Sequence, residues 1–179
     1  FYRQVPFGTA GMRGKVGLGS NRINRYTIRL AAWGMAQILG EGKKVAIAYD
    51  TRLDSKNFAE EAAKVLAEAG LKVLIFDRYS PVPLLSYTVR ELHCDGGIVI
   101  TASHNTKAYN GFKTYEASGA QMGPNKTEEI FRWMLKKADP LDVPHCDDLA
   151  QENIEWIGEE IAEKFTSAAA DCSKLNNSS

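Results

Sequence analysis

The chain has 179 residues, 22 basic and 22 acidic side chains, a net charge of +0 and 44% hydrophobic residues. That length suits one domain, or one domain with an appendage, and buries a sizeable core. Balanced charge excludes whole-chain attraction to nucleic acid or an anionic membrane, so any anion binding falls to local clusters. No apolar run approaches the roughly 18–20 residues that cross a bilayer. Cys94, Cys146 and Cys172 are widely spaced and lack the CxxC pairing of a zinc site, which points to a reducing, cytoplasmic setting. Phe1-Tyr2-Arg3 is neither a signal peptide nor a natural start, so a longer parent protein is expected.

In chain order, FGTAGMRGKVGLGSN (7–21) comes first, and its five glycines predict a flexible loop whose backbone can approach a ligand closely. It is not a Walker loop, because Gly14-Lys15 is followed by Val16. GLGSNR lacks the third glycine of a dinucleotide fingerprint. Arg13 inside the loop suits phosphate, since a guanidinium presents its donors in a fixed fork. Asn24 can cap a helix with Ile28, Ala32, Met35 and Leu39 on one face, stopping at Gly40. KKVAIAYD (43–50) is a strand. Asp54 or Ser55 then caps a helix carrying Phe58, Ala62, Val65, Leu66 and Ala69, ended by Gly70, and KVLIF (72–76) is the next strand. PVPLLSYTVREL (81–92) places prolines where a helix tolerates them, and GGIVI (96–100) is its strand.

This alternation implies βαβ units and a three-layer α/β/α domain with a mixed, mainly parallel sheet. About ten residues separate GGIVITAS from GFKTYEASG, too few for a helical crossover, so 111–116 returns antiparallel. Asn125 with Glu128 resembles a capping box for a helix through Met134 and Lys137. ADPLDVPHCDD (138–148) is a turn-rich linker, Ile154, Ile157, Ile161 and Phe165 mark an amphipathic helix, and SKLNNSS is a loose tail. The expected division is a site-bearing domain over 1–138 and an appendage over 139–179.

Chemistry concentrates in TASHNTKAYNGFK (101–113), at the exit of the 96–100 strand, where α/β sheets gather ligands. Ser103-His104 is no part of a hydrolase triad: neighbours in extended backbone point opposite ways, and no GxSxG elbow is present. YDTR (49–52) ends a parallel strand. Either Asp50 caps the following turn and Arg52 is solvated, or Arg52 lies at the sheet edge beside the other loops. His93 and His145 read as solvated or satisfied histidines.

Together FGTAGMRG, YDTR, TASHN and NGFK, in this order, resemble the first domain of the α-D-phosphohexomutases, the phosphoglucomutase and phosphomannomutase group, over approximately residues 7–138. The resemblance implies that Ser103 carries a phosphoryl group, donates it to a hexose phosphate and recovers it from the sugar 1,6-bisphosphate. It also implies Mg²⁺ on the phosphoserine, acid/base work by Lys113, support from Arg13 and His104, and phosphate contacts from Arg13, Asn105 and Arg52. Lys113 can accept a sugar hydroxyl proton only if burial or neighbouring cations lower its pKa, and Arg13 would contribute to that. Thr106 stands where the family loop usually has Pro. The family's D-G-D-x-D-R metal segment, its sugar-reading G-E-E/S-x-G and its R-x-S-G-T phosphate loop are absent, and Asp147-Asp148 has the wrong spacing to replace the first. The expectation is an N-terminal domain whose partners are hexose phosphate and the remaining domains of the same enzyme, inactive alone. A phosphopentomutase, a sugar-bisphosphate synthase or a non-catalytic phosphate-binding module are the alternatives.

Overall fold

The structure, a computed structural model, describes residues 5, 7–8, 11–137 and 139–176. Its elements are β1 (Phe7–Gly8), β2 (Gly11–Lys15), α1 (Arg25–Leu39), β3 (Lys44–Tyr49), α2 (Ser55–Glu68), β4 (Lys72–Phe76), α3 (Val82–Glu91), β5 (Gly96–Ile100), β6 (Tyr109–Glu116), α4 (Pro124–Lys136), a 3₁₀ turn (Pro140–Asp142), β7 (Ile154–Ile157) and α5 (Glu159–Asn176). The strands form one seven-stranded sheet in the order β1-β2-β6-β5-β3-β4-β7. β5, β3, β4 and β7 run parallel, and β1, β2 and β6 join antiparallel, so the sheet is mixed with a parallel half and an antiparallel half.

Helix α1 packs against α2 and α4 on one face, while α3 packs on β3 and β5 and touches α5 on the other. Right-handed crossovers produce this division: β3–α2–β4 steps one way along the sheet, and β4–α3–β5 steps back past β3. The crevice between the carboxyl ends of β3 and β5 is therefore a topological switch point. The inner parallel strands β5, β3 and β4 are almost wholly apolar because both their faces are covered, and Ile47, Ile75, Phe76 and Ile98 are fully buried. No described helix is long and apolar enough to cross a membrane.

Asn24 caps α1 as expected, accepting from the Tyr26 and Thr27 N–H groups while Thr27 Oγ1 accepts from the Asn24 N–H. Five expectations change. The glycine-rich stretch is a strand over Gly11–Lys15, because β6 offers it a ladder from Met12↔Phe112 to Lys15↔Tyr109. Thr9 and Ala10 of that stretch lie outside the described residues. Asp54 does not cap α2 with its side chain; it takes φ 62°, and Asn57 donates to its carboxylate. The residue before α4 is Gly123, with Pro124 in the first turn, which puts Asn125 inside the helix. Ile154 and Ile157 belong to β7, not to a helix. Their three-residue spacing suits a helix, and the free edge of β4 overrides it, pairing Val73↔Ile154 through Phe76↔Ile157. Asn153 holds the start of that strand by donating to the Ala67 and Leu71 carbonyls. Helix α5 then runs on to Asn176, into the stretch expected as a tail, of which residues 177–179 lie outside the described ones.

Candidate functional site

The site begins with backbone. β2, β6 and β5 pack so closely that a Cβ on Gly111 would lie 2.6 Å from the Met12 carbonyl oxygen and 2.9 Å from that of Thr101. Gly11, at φ +96°, has the Phe112 carbonyl oxygen 2.1 Å from where a Cβ would stand. Only glycine fits either position. Gly111 pairs with Arg13, so the rung that carries the arginine has no second side chain. Alternation along the strands puts Arg13 and Lys113 on the same face as diagonal neighbours.

At the switch point, Asp50 follows β3 and Thr101 follows β5. Thr101 Oγ1 donates to Asp50 Oδ2 at 2.6 Å and accepts the Ser103 N–H at 2.9 Å. Asp50 Oδ1 accepts from the Arg52 N–H at 3.0 Å and from Ser55 Oγ at 2.7 Å, and Asp50 Oδ2 pairs with Arg52 Nε at 3.2 Å. The Arg52 guanidinium donates onward to the carbonyls of Ser103 and Asn105, both at 2.6 Å, Thr106 at 2.8 Å and Tyr109 at 3.2 Å. Asn110, fully buried, ties the far end of the loop by donating to Leu53 O and Ser55 Oγ.

Held in this way, Ser103 takes a left-handed backbone at φ 57° and stays exposed. That conformation is uncommon for a residue with a Cβ and persists where surrounding bonds over-determine it. It also turns Ser103 Oγ towards His104 Nδ1, at 3.5 Å, the outer limit of a hydrogen bond. Arg13 Nη1 donates to Asn105 Oδ1 at 3.0 Å, which brings β2's arginine to the serine loop. Lys113, half-buried on β6, sits beside Val99 of β5. Burial lowers its pKa from the ordinary lysine value, the Arg13 cation lowers it further, and Asp50 opposes both. An open depression of about 790 Å³ follows the loop, lined by Asp50, Arg52, Ser103, Asn105 and Lys107 among others.

The structure thus gathers Arg13, Ser103, His104 and Asn105 at one sheet edge, with Lys113 within electrostatic reach of Arg13 and Asp50. Arg52 lies at that edge too, but its guanidinium is occupied by loop carbonyls. From sequence, Asp50 and Ser55 had capping roles at most, and Thr101 and Asn110 had no role of their own. Their signal was positional, since Asp50 and Thr101 directly follow adjacent parallel strands.

The family described as "Phosphoglucomutase/phosphomannomutase, alpha/beta/alpha domain I" matches residues 4–140. The chain belongs to that family. Among curated relatives, the phosphoglucomutase of Staphylococcus saprophyticus is 41% identical over 167 residues, covering 90% of this chain and 30% of the relative. The phosphoglucomutase of Staphylococcus aureus is 41% identical over 162 residues, covering 88% and 29%. The phosphohexomutase domain therefore spans about 30% of the length of these relatives. A Thermus thermophilus protein assigned as a phosphomannomutase has a crystal structure that superposes with a TM-score of 0.72 at 30% identity, over 87% of this chain and 33% of that one. A Burkholderia thailandensis phosphoglucomutase/phosphomannomutase family protein shares the fold, with a TM-score of 0.69 at 22% identity over 92% and 35%. Among the described residues of this phosphohexomutase domain, no three His, Cys, Asp or Glu gather where they could hold a metal.

Proposed function

We propose that this chain is the phosphoryl-carrying domain of a mutase that interconverts hexose 1-phosphate and hexose 6-phosphate, with Ser103 as the carrier. The observation that carries the reading is the exposed Ser103, fixed in a left-handed turn beside Arg13 and His104, with a lysine of lowered pKa on the same face. Phosphoryl transfer asks for in-line positioning and neutralised oxygens more than covalent machinery, and this arrangement supplies those.

In the forward half-reaction the Ser103 Oγ–phosphorus bond breaks and the phosphoryl group passes to a sugar hydroxyl. The hydroxyl proton goes to Lys113, whose neutral form is made accessible by burial and by Arg13. The resulting sugar 1,6-bisphosphate returns its other phosphoryl group to Ser103, and Lys113 gives the proton back. Arg13, oriented by Asn105, faces the transferred oxygens. Described residues do not by themselves gather three metal-ligating side chains, so a Mg²⁺ on the phosphoserine would need further ligands from outside them. Bound there, it would neutralise oxygen charge.

The relatives' greater length supports assigning hexose phosphate binding to a protein longer than this chain, with residues 1–138 carrying the phosphoryl site and 139–179 closing the sheet edge. The isolated chain is expected to fold without turning over sugar phosphates. Intact-mass measurement on the full-length enzyme tests the reading. An added mass of about 80 Da on Ser103, discharged by glucose 1-phosphate, supports it. Ser103 free of phosphate after incubation with a sugar bisphosphate would favour a phosphate-binding module instead. A coupled assay of the isolated chain showing turnover within tenfold of the whole enzyme would misplace the active site.

A further inference from the structure

The arginine of YDTR was expected to reach a substrate phosphate, yet its guanidinium is turned inward and its side chain is 14% exposed. All the bonds it makes are to the protein: four carbonyls of the 103–109 loop, and the Asp50 carboxylate beneath. Carbonyls in an irregular loop have no ladder partners, and a planar fork with several donors can satisfy a cluster of them where a single ammonium cannot. Asp50 makes this local charge arrangement affordable, and the same carboxylate reaches Thr101, whose hydroxyl holds the Ser103 N–H. One side of the Ser103 peptide is therefore gripped at its N–H through Thr101, and the other at its carbonyl through Arg52. Two grips on one residue explain how φ 57° is maintained without glycine.

We propose that Arg52, with Asp50 and Thr101, is the positioning clamp of the phosphoryl carrier: it sets the direction of Ser103 Oγ and does not hold substrate. The proposal rests on the mutase reading for its kinetic consequence, but its structural consequence is independent of it. A clamp of this kind changes the rate of transfer more than the affinity for sugar phosphate, because a displacement of about 1 Å at the reacting atom can cost on the order of a hundredfold. A phosphate holder would do the reverse.

The test uses the full-length enzyme with Arg52→Lys and Thr101→Val, the second keeping shape while removing the hydroxyl bridge. For both, kcat with glucose 1-phosphate should fall by about a hundredfold with KM within about threefold of wild type. Amide exchange across 102–109 should accelerate while the β3 and β4 amides keep wild-type protection. Arg52→Lys should not rescue, since one ammonium cannot span four carbonyls. A tenfold rise in KM with unchanged kcat would overturn the clamp in favour of a substrate contact, as would wild-type exchange in the loop. If wild-type Ser103 proves never to carry phosphate, the mutase reading fails, while the exchange measurement still decides the clamp. Should Arg52→Lys not fold, Thr101→Val carries both measurements.

Discussion

The two halves of the sheet are built on opposite terms. β5, β3, β4 and β7 run parallel, and the inner three, covered by helices, carry near-continuous apolar side chains. β6, β2 and β1 run antiparallel, meet at glycines, and present Arg13 and Lys113 on one face. The parallel half supplies the core. The antiparallel half supplies cations held close together, an arrangement that opposes stability and suits an anionic substrate. Between them lies the 101–109 loop, bonded to the parallel half through Asp50 and Arg52 and to the antiparallel half through Arg13. The serine is anchored to the rigid side and faces the charged side.

The comparison is sharpest at its extremes. On the proposed carrier role, Ser103→Ala in the full-length enzyme should reduce mutase turnover to background, while the melting temperature stays within about 1 °C of wild type, since an exposed loop hydroxyl adds little to stability. Ile47→Ala, in the fully buried centre of β3, should do the opposite in kind and lower stability by about 2–5 kcal/mol. Parallel measurement of turnover and denaturant midpoint checks both. A Ser103→Ala enzyme with wild-type turnover would remove phosphoserine chemistry from the reading.

Next in size, Gly111→Ala acts on the seam where the halves meet. The added methyl runs into the Met12 and Thr101 carbonyl oxygens, neither of which is a flexible side-chain end, so strands must shift at about 1–3 kcal/mol. Because Thr101 and Arg13 are attached to the backbones that move, activity and stability should fall together. An alanine variant that loses neither would show that the close approach of β2, β6 and β5 does not set the site.

How much of this was legible in sequence follows the same division. The three inner parallel strands were read nearly to the residue, because apolar strands bounded by helices are local signals: 72–76 and 96–100 coincide with β4 and β5. In the antiparallel half 111–116 was read as an antiparallel return, within β6, but β2 was read as loop, because glycines at Gly11 and Gly14 remove the alternation that announces a strand, and the partner that makes them one lies near residue 112. β7 was missed for a related reason. Ile154 and Ile157 carry a three-residue spacing, and only the open edge of β4 gives them a ladder. At the site, residue types and motifs picked out Arg13, Ser103, His104, Asn105 and Lys113, which the structure brings to one region. Arg52 was picked out as well, but its direction was not readable: whether an arginine at a strand end faces ligand or loop depends on carbonyls more than fifty positions away.

A smaller effect tests the electrostatics of the antiparallel half. Lys113 has its pKa lowered by burial first and by the Arg13 cation second. A lowered pKa means that the neutral, proton-accepting form becomes available at lower pH, so the alkaline-going rise of kcat/KM should follow the Lys113 titration. Arg13→Gln removes the second cause and leaves the first, so the rise should move to higher pH without disappearing. Lys113→Ala should abolish the rise and lower turnover by about 10²–10⁴-fold. A pH profile that is unchanged in both variants would mean that another group moves the proton.

The smallest predicted effect separates the two faces of a single strand. Lys113 and Thr114 are neighbours on β6, so their side chains point to opposite faces of the sheet. Lys113 faces the charged site. Thr114 is fully buried, and among the described residues its Oγ1 has no hydrogen-bond partner. A desolvated hydroxyl without a partner costs on the order of 1–3 kcal/mol, whereas its β-branched shape fills space in the core as valine would. Thr114→Val keeps the branching and strand preference while removing the stranded dipole, so stability should rise by about 1 kcal/mol, seen as a melting-temperature increase of about 2–4 °C. Turnover should be unchanged, because the substitution alters the face of β6 opposite Lys113 and leaves the ladder to Ile98 intact. Thermal unfolding and a coupled assay on the same preparation decide it. A loss of stability would show that the hydroxyl has a partner such as a buried water. A tenfold loss of turnover at full stability would show that the two faces of β6 are coupled, and that core and chemistry are less separable in this half than its architecture implies.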